Sequence, residues 1–248
     1  MIPKIIHYVW VGGKPLTPLA EKCIESWKKL CPDYEIKRWD ESTFDLNENQ
    51  YAKEAYESKK WAFVSDYIRV KVLYEYGGIY MDTDVEVIKS LDKFLKHPAF
   101  SGFETETFIP TGIMACEKGN LWMKTLLEYY NDRHFIFENG EMDLTTNVVS
   151  ITENTKKLYP DMVLDGKFLE LKDVVFYPKE YFCPIDYETK KCLKTKNTHT
   201  IHYFAGSWMP KKTFIQKVKS TICIIAKKVL GKNNYNKIKN KIKRKNNA

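Results

Sequence analysis

The chain of 248 residues has room for one α/β domain with insertions rather than for two independent catalytic domains. With 44% hydrophobic and 29% charged residues it can bury a core of ordinary size, which excludes a wholly disordered or collagen-like polymer. The formal charge of +8 is unevenly placed: residues 211–248 hold 13 Lys and Arg and no acidic residue, leaving 27 basic against 32 acidic residues over 1–210, a net −5.

The opening Met1-Ile2-Pro3-Lys4-Ile5-Ile6-His7 lacks the apolar stretch of a secretory leader and runs straight into strand-like sequence. Lys4 to Val11 is β-branched and aromatic and ends at Gly12-Gly13, which predicts a buried strand and a turn. Leu19, Cys23, Ile24, Trp27 and Leu30 recur at helical spacing before Cys31-Pro32-Asp33, and Tyr34 to Trp39 alternates as a second strand. Strand, helix, strand at this spacing opens a βαβ unit with a parallel sheet. Residues 50–76 hold two helical stretches, the second, Trp61 to Tyr76, stopped by Gly77-Gly78. Ile79-Tyr80-Met81 is a short apolar run ending in Asp82-Thr83-Asp84. Further strands are predicted at Phe100–Glu104, Ile113–Cys116, Val174–Tyr177 and Thr200–Phe204, and helices at Asn120–Tyr130 and Asn147–Lys157.

Beyond Pro210 the composition changes. Phe214, Ile215, Val218, Ile222, Ile225 and Val229 share one helical face, with lysines elsewhere and a Lys/Asn-rich end. The pattern predicts a basic amphipathic helix and polar tail, residues 211–248, suited to an anionic membrane surface and too short in its apolar run to span one. The acidic body and the lack of interleaved aromatics argue against nucleic acid. Cys23, Cys31, Cys116, Cys183, Cys192 and Cys223 form no C-x-x-C pair, so a thiolate zinc site is unsupported and a reduced, cytoplasmic protein is expected.

The strongest local feature is the pair Asp82 and Asp84. Two carboxylates two residues apart after a buried strand point the same way if the chain stays extended. The carboxyl end of a strand in an α/β sheet is where ligands bind, and hard divalent cations take oxygen ligands that they share with phosphates. Mn²⁺ or Mg²⁺ on a nucleotide diphosphate is the sharp reading; a turn or helix-cap pair is the plain one. On the preceding helix, Ser65, Asp66 and Arg69 lie within about 100° of one another, a polar strip either over the same pocket or forming a surface ion pair of little energetic weight.

The run WAFVSDYIRVKVLYEYGGIYMDTD, residues 61–84, resembles the DXD region of glycosyltransferase family 32, which includes yeast α-mannosyltransferases and bacterial capsule-sugar transferases. The family pattern A-x-x-S-D-x-x-R-x-x-x-L-x-x-x-G-G-x-Y-x-D-x-D is met by Ala62, Ser65, Asp66, Arg69, Leu73, Gly77, Gly78, Tyr80, Asp82 and Asp84. IPKIIHYVWVGG is similar to that family's first strand, Pro32-Asp33-Tyr34-Glu35-Ile36 followed by Trp39 to its second, and His202 with Gly206-Ser207-Trp208 to its closing element. The resemblance implies a GT-A nucleotide-binding fold over residues 1–210, with a mostly parallel central sheet flanked by helices.

It also implies a metal-dependent transferase that moves a sugar from a UDP- or GDP-linked donor to a glycan or lipid-linked acceptor, with retention, in cell-surface or capsular polysaccharide synthesis. Val9 and Trp10 would contact base and ribose. Ser65, Asp66, Arg69 and Tyr80 would contact donor sugar or ribose. Asp82 and Asp84 would hold the metal, with His202 as third ligand, and Ser207 and Trp208 would close over the β-phosphate. His199 competes with His202, which otherwise reads as a core histidine, and Trp208 as a packing aromatic. Where many members have Gly-Pro before a helix, this chain reads Asp143-Leu144-Thr145-Thr146-Asn147, and Asn147 is assigned to the donor sugar. Phe108–Gly112 is placed near the acceptor. No enzymic nucleophile is evident, so same-face attack fits better than double displacement.

Two other classes compete. A haloacid-dehalogenase-like phosphohydrolase also carries D-x-D after an apolar strand, but on its first strand, whereas two strands precede it here. A non-catalytic peripheral membrane scaffold would account for the tail and leave the acidic pair idle.

Overall fold

The β-branched run near the amino terminus forms β1 (Ile5–Val9), and after helix α1 (Pro18–Leu30) the strand β2 (Glu35–Trp39) pairs with it in parallel. These and the following elements come from a computed structural model describing residues 1–109, 112–186 and 189–206; the expectations for Ser207, Trp208 and the 211–248 tail, and the division at 210, lie outside the described residues. Thr17 caps α1 by accepting from the Ala20 N–H at 3.2 Å, Pro18 stands in its first turn where no N–H is needed, and Lys28 and Lys29 oppose the dipole at its end. Its stripe of Ala20, Cys23, Ile24 and Trp27 is buried.

Helices α2 (Gln50–Glu57) and α3 (Trp61–Tyr76) follow, then β3 (Gly78–Met81), whose four residues are all buried. Gly77 ends α3 with φ 67°, and Gly78, at φ 104°, passes so close to β1 that a Cβ would sit 2.7 Å from the Ile5 carbonyl oxygen. Glycine is required there by backbone conformation and by space together.

The chain continues through β4 (Val85–Val87), β5 (Ala99–Gly102), β6 (Ile113–Cys116), α4 (Leu121–Glu128) and α5 (Asn147–Leu158). It then forms β7 (Leu169–Glu170), β8 (Val175–Tyr177), the single turn α6 (Lys179–Phe182) and β9 (Thr200–His202). A seven-stranded sheet runs β2-β1-β3-β6-β5-β8-β7, while β4 and β9 make a separate antiparallel pair. The α/β class holds, but the sheet is mixed rather than mostly parallel: β1–β2, β1–β3 and β5–β8 are parallel, and β3–β6, β5–β6 and β7–β8 antiparallel. The link 103–112 between β5 and β6 has no room for the crossover that a parallel pair needs.

Pleating divides the core in two. Val9, Tyr80, Met114 and Cys116 face α2, α3, α4 and α5, whereas Ile6, Tyr8, Ile79, Met81, Ile113 and Ala115 face α1, β4 and the Phe94 and Phe182 rings. The sequence reading missed β4, β7 and α6, which are too short for a period to show.

His7, fully buried on β1, lies within hydrogen-bonding distance of the Gly77 carbonyl through Nε2 (2.8 Å) and of the Trp39 indole N–H through Nδ1 (3.0 Å). The indole can only donate, so the ring is held neutral with its proton on Nε2. Burial, opposed by the Gly77 bond, lowers its pKa from 6.5 to about 4. Between these values the unfolded chain binds a proton that the folded chain does not, so stability rises with pH across that window and is fully present above 6.5. Acidification through it should cost about 3 kcal/mol. Urea melts at pH 4 and pH 7 should show that slope, and His7→Gln should flatten it.

Candidate functional site

β3 delivers Asp82 to the carboxyl edge of the sheet. The pair does not continue as extended strand: the Val85 N–H turns back to the Asp82 carbonyl at 3.0 Å, and the Asp82 N–H donates to Gly112 at 2.9 Å. The carboxylates converge through this turn and through β9, whose register sets His202 opposite Val85. The Asp84 backbone and side chain both reach that strap, its carbonyl accepting from the Tyr203 N–H at 3.0 Å and its Oδ2 from the Ala205 N–H at 2.7 Å.

One ligand atom each from Asp82, Asp84 and His202 lies within 4.8 Å of the other two. The Asp82 Oδ1 accepts from the Tyr80 hydroxyl at 3.0 Å and pairs with Arg69 Nη2 at 3.2 Å. The remaining oxygens, Asp82 Oδ2 and Asp84 Oδ1, face His202 Nε2 at 4.0 and 3.3 Å. The other ring nitrogen, Nδ1, is buried beside the Cys183 thiol with no hydrogen bond of ordinary geometry. The Phe204 ring lies against the imidazole, centroids 4.3 Å apart. Two carboxylate oxygens and an imidazole nitrogen, each with its other polar atom turned away, form a donor set that suits a divalent cation.

Electrostatics agree with that fit. Burial works against a charged His202, yet the Asp84 hydrogen bond, the Cys183 thiol and the Asp84 and Asp82 charges hold its pKa well above the ordinary histidine value. Burial would raise the pKa of Asp84, but the His202 bond and charge and the Ala205 N–H bring it below the usual carboxylate range. The imidazolium proton and a divalent ion would compete for the same oxygens.

A second layer stands behind Asp82. Arg69 and Asp66 form a buried pair at 3.1 Å, their side chains 4% and 8% exposed, so the surface-pair alternative does not hold. The guanidinium stacks on the Tyr80 ring, 4.5 Å from its centroid, and reaches Ser65 through its carbonyl (3.3 Å) and Oγ (3.4 Å). Burial drives the Asp66 pKa up to about 7, against the pull of Arg69, and the Asn147 side-chain amide donates to its Oδ1. Asn147 thus joins the strip although its segment departs from the family pattern.

Val9 ends β1, the strand beside β3, and Trp10 follows it, with Val9 buried and the Trp10 indole donating to the Lys14 carbonyl at 2.6 Å. No hydrogen bond among the described residues ties either to the acidic pair. His199 lies elsewhere: its Nδ1 bonds the Ser90 carbonyl at 2.8 Å and its ring packs on Phe94.

Sequence reasoning missed the role of Gly112. A Cβ there would stand 2.7 Å from His202 Nδ1 and 3.0 Å from Cε1, so the imidazole occupies the space of the absent side chain. A methyl group must displace the ring, and supporting contacts of this kind carry about 10- to 100-fold in metal affinity. Gly112→Ala is expected to weaken Mn²⁺ binding by that factor in calorimetric titration, with only a small loss of thermal stability. The one available signal was a glycine just before a fully apolar strand.

Residues 18–101 match a family model described as a glycosyltransferase sugar-binding region containing a DXD motif. Inositol phosphoceramide mannosyltransferase 3 of Schizosaccharomyces pombe is 34% identical over 126 residues, 48% of this chain and 34% of that protein. A mannosyl phosphorylinositol ceramide synthase of Saccharomyces cerevisiae is 32% identical over 127 residues, 46% of this chain and 31% of that protein. The chain therefore spans about a third of the length of these yeast relatives. An uncharacterized glycosyltransferase of Acanthamoeba polyphaga mimivirus is 25% identical over 219 residues, 85% of each chain. Among solved structures, the PaToxG glycosyltransferase superposes with a TM-score of 0.51 at 21% identity, covering 64% of this chain and 70% of that one, which shows a shared fold.

Proposed function

We propose that this chain, whose residues 18–101 match a glycosyltransferase sugar-binding region containing a DXD motif, transfers a sugar from a UDP- or GDP-linked donor to a glycan or lipid-linked acceptor, with retention of configuration. The observation that carries the reading is the convergence of Asp82, Asp84 and His202 at the carboxyl edge of the sheet. These three would hold Mn²⁺ or Mg²⁺, which when bound neutralises charge on the diphosphate leaving group.

The chain's own residues supply the rest. Arg69, locked between Asp66 and Asp82, fixes the orientation of Asp82 and balances part of the acidic charge before any ligand arrives. Tyr80 holds the same carboxylate from below. Asp66 and Asn147, joined to each other, offer a carboxyl and an amide to donor-sugar hydroxyls, with Ser65 behind them. Trp10, half-buried just past the neighbouring strand end, and the backbone of Val9 would meet base and ribose. Fixed donors and charges of this kind act where charge develops and need no reorganisation during the reaction.

Among the described residues no helix is long and apolar enough to cross a membrane. The lysine-rich 211–248 segment would bring the catalytic body to an anionic inner membrane face, where a lipid-linked acceptor for surface or capsular polysaccharide lies. The phosphoceramide acceptors in the yeast relatives' names are in keeping with a lipid-borne acceptor.

A thermal-shift panel of UDP-, GDP- and CMP-sugars with and without Mn²⁺ tests the reading. A ligand bound only by the folded chain raises the melting temperature with the logarithm of its concentration over Kd, by about 2.7 kcal/mol of stabilisation at a hundredfold excess over Kd. The expected result is a Mn²⁺-dependent shift with one UDP- or GDP-sugar. A panel without any shift in folded protein would overturn it.

A further inference from the structure

The sheet edge that presents Asp82 presents another acidic side chain from the opposite flank. β3 and β5 are both antiparallel to β6, which lies between them, so their carboxyl ends share one edge about 10 Å apart. Past β5, Phe103 turns into the core, 1% exposed, with its N–H on the Tyr177 carbonyl at 2.9 Å. Glu104 follows, on the alternate side of the chain, and its N–H donates to the Phe108 carbonyl at 3.0 Å, closing a turn that holds the residue in place.

The Glu104 side chain is half-buried, and the charges acting on its carboxyl are those of His202, Lys179 and Asp82. Asp66, Asp82 and Asp84 are each held by donors from the protein. By contrast, no hydrogen bond or ion pair among the described residues reaches the Glu104 carboxylate. A carboxylate partly withdrawn from water without a partner is costly, and such a group is kept where a ligand supplies the missing donors. It is not one of the converging metal-ligand atoms. It follows β5, two strands from β3, whereas Asp66 and Arg69 on α3, Tyr80 on β3 and Asn147 at the start of α5 are the groups assigned to the donor.

Building on the glycosyltransferase reading, we propose that Glu104 binds the acceptor, its carboxylate accepting a hydrogen bond from the glycan hydroxyl that attacks the donor sugar. A carboxylate accepts only, a sugar hydroxyl donates readily, and a charge-assisted bond of this type is short and directional. The attacking oxygen is thereby held on the β5 flank of the triad. The step is a hydrogen bond and moves no proton.

The test uses the full chain with Mn²⁺ and the nucleotide sugar that shifts its melting temperature, and an array of methyl glycosides of mono- and disaccharides as acceptors. Nucleoside diphosphate release above the acceptor-free rate is the readout. For Glu104→Gln and Glu104→Ala, kcat/KM for the acceptor should fall by about 30- to 100-fold, chiefly through acceptor KM. The Kd for donor with Mn²⁺ should stay within about twofold, and Glu104→Asp should recover part of the loss. The proposal is overturned if acceptor kcat/KM changes by less than about threefold, if donor binding falls in parallel, or if no glycoside raises turnover of the wild-type chain. Failure of the wild-type chain to bind any donor would be a different result, removing the underlying reading itself.

Discussion

Asp82→Asn combined with Asp84→Asn is expected to lower sugar transfer by about 10³-fold or more and to abolish the Mn²⁺-dependent donor shift while leaving the fold intact. The amides keep the local hydrogen bonds: an oxygen at position 82 can still accept from the Tyr80 hydroxyl, and one at position 84 from the Ala205 N–H. What they lose is the negative charge that offsets the cost of stripping water from a divalent cation. Unchanged far-ultraviolet circular dichroism with lost activity and lost metal response is the expected pattern. Retained metal-dependent donor binding in the double variant would remove the acidic pair from the mechanism.

Removing the cation behind that pair has the largest expected effect on stability. The Arg69 guanidinium, 4% exposed, touches both Asp66 and Asp82. Arg69→Met retains apolar volume but leaves Asp82 without its cation and drives Asp66, at about 7 even with Arg69 beside it, to take up a proton, and stripping one partner from a buried pair costs about 3–5 kcal/mol. Against a typical domain stability of about 5–15 kcal/mol this is a large fraction. Asp66→Asn alone should cost much less, because burial already carries that carboxyl up to about 7 and the neutral form is close at hand. The double variant Arg69→Met with Asp66→Asn should be more stable than Arg69→Met alone, since an amide at position 66 needs no proton to be buried there. Urea melts of the four proteins form the cycle that checks this; strict additivity would show that the two side chains act independently.

Much of the site was legible from local pattern. Asp66 and Arg69 share a helix flank because three residues make most of a turn, and Asp82 and Asp84 are adjacent through covalent geometry whatever the rest of the chain does. The glycine stop between them follows from backbone sterics at Gly77 and Gly78. Residue types with a narrow chemical use, at spacings set by the helix and the turn, could therefore be read before any contact was known. The buried strand leading to the pair was also readable, since β-branched and aromatic runs have few other destinations.

Other features depended on partners far away in the chain. Whether Asp66–Arg69 was a surface pair or a buried one depended on α2 and α4 covering α3, which the period of α3 alone does not show: its buried residues include Phe63, Tyr67, Ile68 and Val72 as well as Asp66 and Arg69. Which histidine lies beside the acidic pair follows from the β4–β9 register, which sets His202 against Val85 and sends His199 to Ser90. The mixed sheet arose from the short link between β5 and β6, and the same pairing brought Gly112 under the His202 ring and Glu104 to the edge occupied by Asp82. The sequence by itself determined the α/β class, the acidic pair and the polar helix strip, because each is encoded within a few bonds by sterics and periodicity. Only the tertiary structure decided burial, which histidine stands beside the acidic pair and the edge on which Glu104 stands, because these follow from strand pairings and helix packing between residues remote in the chain, where no local period carries the information.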